Sequence, residues 1–135
     1  MGNSMGGHGA LTIALKNPGK YRAVSAFSPI SSPMNCPWGE KALGHYIGSN
    51  KADWEQYDSC ALVAKAQEKL HILVDQGQED NFLVTQLKPE LLQNACLQAK
   101  HPLTLRLHAG YDHSYFFIAT FIADHIAHHA DALWS

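Results

Sequence analysis

Apolar side chains return at steps of three and four through residues 6–15, which predicts a helix stopped by Asn17-Pro18-Gly19. Residues 22–27 form a short apolar run ended by Ser28-Pro29, the pattern of a buried strand, and a loop rich in serine and proline follows over residues 30–37. Helices are predicted over 38–47 and 58–68, with Asp58 suited to cap the second. The run 71–74 reads as a strand whose exit loop begins at Asp75-Gln76-Gly77. Pro89 suits the first turn of a helix, in which Leu91, Leu92, Ala95, Cys96 and Ala99 recur at helical spacing. Residues 103–107 alternate apolar and polar, as a strand does, and 114–130 form a long last helix. Strands and helices thus alternate with short connections. That order predicts an α/β fold, a parallel sheet with crossover helices, in one domain covering residues 1–135.

Composition narrows the function. Ten basic and twelve acidic side chains leave a formal charge of −2, and 46% of the 135 residues are hydrophobic. Nothing in that balance attracts nucleic acid or an anionic membrane surface, and a disordered chain would be less apolar. The most apolar run, 115–123, is about half of the ~18 residues a membrane-spanning helix needs. The first residues show no charged and apolar leader pattern. Cys36, Cys60 and Cys96 are odd in number and widely spaced, which predicts reduced thiols and a cytoplasmic setting. Charged residues make up 16% of the chain, against roughly 25% in a typical soluble domain. Either much of the surface is covered, or the chain is not the whole folding unit.

The sharpest chemical signal is Gly2-Asn3-Ser4-Met5-Gly6, a G-x-S-x-G pattern opening into a helix. A strand that turns this tightly into a helix requires small residues on either side of the serine. It leaves the hydroxyl at the tip of the sheet and the amide of the following residue, Met5, aimed where an oxyanion would form. A serine nucleophile needs a base, and the base an orienting carboxylate, in the chain order Ser, Asp or Glu, His. The loop after the strand at 71–74 offers Asp75, Glu79 and Asp80. After the strand at 103–107, His113 is the one histidine of nine placed in a loop behind a strand. His125, His128 and His129 have helical spacing that suggests a metal site, but no cysteine or carboxylate is arranged to complete it. A histidine cluster drawn to the negative end of a helix dipole is the competing reading.

Several blocks together resemble the S-formylglutathione hydrolase (esterase D) family of α/β-hydrolases. They are residues 2–11, Ala26-Phe27-Ser28-Pro29-Ile30, Cys36-Pro37-Trp38-Gly39, Asp75-Gln76-Gly77 with Asp80, and Gly110-Tyr111-Asp112-His113-Ser114-Tyr115. The resemblance implies a hydrolase acting on the thioester S-formylglutathione and on short-chain esters, in formaldehyde detoxification. It assigns the nucleophile to Ser4, the acid to Asp80, the base to His113 and an oxyanion donor to the Met5 N–H, with no cofactor and no metal. Trp38 could line the pocket for the glutathione moiety or lie in the core, and the core reading is preferred. Asn3 stands where the family usually has histidine. Members are about twice this length and the likeness begins at the serine, so the chain is expected to be the C-terminal half of the domain. A strand ending at Ser4 would normally be central in the sheet, and the loop giving a second oxyanion donor would precede it. The expected partners follow: a small thioester or ester, and either a second copy or the N-terminal half, but no nucleic acid and no membrane. A catalytically weak, self-associating fragment is the alternative.

Overall fold

The computed structural model describes residues 1–134. Its elements, in chain order, are β1 (Gly2–Asn3), α1 (Met5–Lys16), β2 (Ala23–Phe27), α2 (Pro37–Tyr46), α3 (Ser59–Lys65), β3 (His71–Gly77), α4 (Pro89–Ala99), β4 (Leu103–His108) and α5 (Tyr115–Trp134). Short 3-10 turns at Pro33–Asn35 and Lys51–Tyr57 and a π-helical turn at Leu83–Leu87 fill the connections. The four strands are parallel and lie side by side in the order β1-β2-β3-β4. The α/β class, the parallel sheet and the three strands after Ser4 match the expectation. β1 lies at an edge, where the motif alone had placed it in the middle.

Alternation along the strands divides their residues between two faces. Val24 and Ala26 on β2, with Ile72 and Val74 on β3, pack against Leu11 and Ala14 of α1, Val63 of α3, and Leu92 and Cys96 of α4, forming the main apolar core. Leu103 and Leu105 of β4 extend it. The opposite face carries Ser25, Phe27, Asp75, Arg106 and His108, and α5 covers it. Asp58 caps α3 as predicted, accepting from the Ala61 N–H at 3.1 Å. Its other oxygen takes the Ser32 hydroxyl at 2.6 Å and the Met34 N–H at 3.1 Å, which pins the serine- and proline-rich loop.

Three sequence readings need correction. β3 runs to Gly77, so Asp75-Gln76-Gly77 belongs to the strand and not to its exit loop. Partners from β4 and α5 satisfy the Asp75 carboxylate, while the Gln76 Nε2 donates to the Gly77 carbonyl and to Asp80 in the following loop. Trp38 is 44% exposed at the start of α2 and is not a core residue. The histidines of α5 lie within a helix that continues to Trp134, so they do not sit at its negative end. His128 Nε2 instead meets the Val24 and His71 carbonyls at 3.2 Å, and His129 Nε2 meets Ser25 Oγ at 3.0 Å. Burial pushes both histidines below the ordinary imidazole value, which favours neutral rings. No cluster of side chains able to hold a metal ion is present among the described residues, and no described helix is long and apolar enough to cross a membrane.

Candidate active site

Ligands of parallel α/β sheets bind at the carboxyl ends of the strands, and the candidate residues collect there. Ser4 follows β1 with φ 55° and ψ −117°, a conformation that non-glycine residues seldom adopt. Its backbone is held on both sides: its N–H donates to the Phe27 carbonyl at 2.8 Å, and its carbonyl accepts from the His8 N–H at 3.0 Å. A Cβ on Gly2 would lie 2.1 Å from the Gly6 carbonyl oxygen, so the first glycine of the motif is sterically required. Gly6 meets no such constraint in the chain as described, since nothing lies within 4 Å of where its Cβ would be. As the first residue of α1, Met5 has an N–H without an intrahelical acceptor, beside the serine.

Asp80 lies in the loop after β3, with its side chain shielded from solvent. Its Oδ1 accepts the Phe82 N–H at 2.8 Å, while Oδ2 accepts from His113 Nδ1 at 2.6 Å and from Gln76 Nε2 at 3.2 Å. His113 keeps about a fifth of its side-chain surface open. The loops carrying these two residues are tied together before their side chains meet. The Gln78 N–H donates to the His108 carbonyl and the Glu79 N–H to the Tyr111 carbonyl, both at 2.9 Å. That approach depends on Gly77, where a Cβ would lie 2.3 Å from the Tyr111 oxygen. Sequence reading had treated Gly77 as a turn residue. Its position at the end of β3, three residues before Asp80, is where the two loops cross.

Ser4 and His113 line one cleft of about 290 Å³ with Met5, Ile30, Trp38, Phe82, Gln86 and Leu87. Phe82 stands edge-on to the His113 ring, with centroids 5.4 Å apart, and the Trp38 N–H donates to Gln86 Oε1 at 3.0 Å. The walls are otherwise apolar. This cleft is smaller than an open groove of about 770 Å³ between α1 and α5, lined by Met1, Ile13, Tyr21 and Leu133 among others. Among its described lining residues the groove has no serine, threonine or cysteine, and its His129 bonds the fully buried Ser25, so the smaller cleft is the candidate site.

The competing acid, Asp75, faces away from the cleft toward α5. Its fully buried carboxylate accepts from Arg106 Nε and Nη2 at 2.6 Å, and from His108 Nε2 and His125 Nε2 at 2.7 Å. Burial alone would raise its pKa. The donors, His125 foremost and then Arg106 and His108, outweigh burial and hold it well below the usual carboxylate range. His125 is itself fully buried and stacked on Phe27, with ring centroids 3.8 Å apart. Glu79 contributes its backbone N–H to the loop crossing. Burial pushes the thiols of Cys36, Cys60 and Cys96 up, to about 11 for Cys96, so none of them is a ready nucleophile.

With this geometry in place, the chain can be set beside known proteins. The Esterase family model matches residues 1–128. The chain is 58% identical over 133 residues to the S-formylglutathione hydrolase of Arabidopsis thaliana, a match covering 98% of this chain and 47% of that protein. It is 55% identical over 134 residues to the S-formylglutathione hydrolase of Rattus norvegicus, covering 98% and 48%. The solved structure of an S-formylglutathione hydrolase from Agrobacterium tumefaciens aligns with a TM-score of 0.93 at 48% identity, over 97% of this chain and 47% of that one. The chain therefore spans about half the length of the relatives it matches.

Proposed function

This chain belongs to the esterase family, and on that premise we propose that Ser4, His113 and Asp80 form the triad of a serine hydrolase that cleaves S-formylglutathione to formate and glutathione. The observation that carries the reading is the Asp80–His113 hydrogen bond, made by Nδ1 and thus leaving Nε2 for a serine on the same cleft. In the proposed reaction His113 takes the Ser4 proton as the hydroxyl oxygen attacks the formyl carbonyl. The Met5 N–H donates to the oxygen that becomes negative. When the tetrahedral centre collapses, the C–S bond breaks and the imidazolium returns its proton to the departing thiolate. Water, deprotonated by the same imidazole, then releases formate from Ser4. Asp80 keeps the Nδ1–H tautomer and stabilises the imidazolium throughout.

The small, largely apolar cleft suits a small acyl group and supports side activity on short-chain esters. The proposed substrate places the chain in glutathione-dependent formaldehyde detoxification, in a reducing, cytoplasmic setting that its three unpaired thiols suit. The test is hydrolysis of S-formylglutathione and of p-nitrophenyl acetate by the purified chain and its Ser4→Ala variant. Turnover should fall on the order of 10⁶-fold in the variant. Retention of most of the activity would overturn the assignment.

The open edge of the sheet favours a second reading. Beside β1, the groove between α1 and α5 exposes apolar side chains and unpaired strand backbone, a surface that invites pairing with another polypeptide. In this reading the chain self-associates, or joins the remaining half of an esterase chain, and is nearly inactive alone. Sedimentation measured beside the ester assay separates the two: a monomer with full turnover removes the second reading.

A further inference from the structure

Gln76 is buried in full near the end of β3, where a hydrocarbon side chain would fill the space without taking an amide out of water. Its Nε2 donates to the Gly77 carbonyl at 2.9 Å and to Asp80 Oδ2 at 3.2 Å. Both neighbours are acceptors, which fixes the amide's orientation. Its Oε1 is left buried with no partner among the described residues, a cost to stability that leucine or methionine would not carry. What the amide contributes in return lies on its nitrogen. Asp80 Oδ2 is also the oxygen that accepts from His113 Nδ1, while Oδ1 is held by the Phe82 N–H. Without Gln76 the carboxylate would be held on one side by a backbone amide alone, and its only side-chain donor would be the imidazole it has to orient.

We propose that Gln76 is a positioning residue for the hydrolysis: its amide locks the Asp80 carboxylate so that the imidazole of His113 is presented to Ser4. The inference rests on the triad reading, and its tests keep the two apart. The first readout needs no turnover. It is the imidazole Nδ1–H proton signal of His113 in nuclear magnetic resonance, with the His125 Nε2–H signal, held by Asp75, as an internal check on the fold. In Gln76→Met the His113 signal shifts and exchanges with water on the order of tenfold faster, while the His125 signal stays in place. In an Asp80→Asn background the same substitution adds nothing further to either the signal or the residual activity.

Gln76→Glu nearly matches the native shape and guards against a methionine variant that fails to fold. Protonated, it can donate to Asp80. Ionised, it sets a second negative charge against the first. Its ester-hydrolysis pH profile therefore gains a descending limb at higher pH that the parent lacks. An unchanged His113 signal in a folded Gln76→Met, an additive loss in the Asp80→Asn background, or a parent-like profile in Gln76→Glu overturns the inference. A His113 signal that survives Asp80→Asn would instead remove the triad beneath it.

Discussion

Two buried carboxylates stand a few residues apart in this chain, each bonded to histidine, and their surroundings differ. Asp75 is enclosed: two nitrogens of Arg106, His108 and His125 converge on it from β4 and α5, and His125 is sealed against Phe27. Asp80 has a single histidine, whose other ring nitrogen remains for the cleft that Ser4 lines. A buried Asp–His bond therefore does not by itself mark catalysis. What separates the pair is whether the histidine has a second nitrogen to offer and open space beside it. Pleating makes the division: adjacent residues of β3 point to opposite faces, so Asp75 turns to α5 while Gln76 turns toward Asp80.

The largest expected effect tests that division at the cleft. Asp80→Asn should lower kcat for p-nitrophenyl acetate by about 10⁴, with the thermal midpoint nearly unchanged. Asp75→Asn should do the reverse. Removing one partner of a buried ion pair costs about 3–5 kcal/mol, so urea unfolding should shift strongly while folded molecules keep their turnover. If Asp75→Asn abolished turnover in folded protein and Asp80→Asn did not, the two roles would have to be exchanged.

Gly77→Ala probes the place where the two loops cross. A methyl group 2.3 Å from the Tyr111 oxygen has to push the His113 loop away. The expected result is a loss of about 1–3 kcal/mol in stability, with kcat/KM down by about 10² because His113 no longer meets Asp80 squarely. A fall in stability with full activity would show that the crossing supports the fold alone.

The smallest effect is the dependence of stability on pH. Burial sets His8, His101, His128 and His129 below their ordinary value, so the unfolded chain takes up protons more readily. Their contribution is fully present above about pH 6.5 and is lost as pH falls below it. Asp75 is likewise depressed, and its contribution is lost only as pH falls below about 3.9, the value of the unfolded carboxyl. Thermal midpoints measured from pH 8 to 3 should therefore decline in two stages, and Asp75→Asn should remove the second.

The alternation of strand and helix was legible in the chain because each apolar run needs one partner layer and the connections are short. The edge of β3 was not. Asp75-Gln76-Gly77 looks like an exit loop until residues some thirty positions later supply Arg106, His108 and the Tyr111 carbonyl. For the same reason, spacing could not decide between Asp75, Glu79 and Asp80. The α5 histidines were misread because helical spacing shows which residues share a face, but not that the strands beneath present Ser25, Asp75 and two carbonyls. Between the two readings open for Trp38 the structure takes the cleft, a choice composition could not make because an indole fills a core and lines a cleft equally well. Resemblance, rather than spacing, singled out Asp80 ahead of the structure.

The strands lie in the sheet in the order in which they occur in the chain. Each new strand can therefore dock on the one just completed while synthesis continues. Ser4, in its strained turn, is made before β2, and His113 follows only after β4 has been laid down. On the proposed triad, Ser4 is thus made well before the imidazole that would activate it, and hydrolysis would begin only once β4 and the loop behind it are in place.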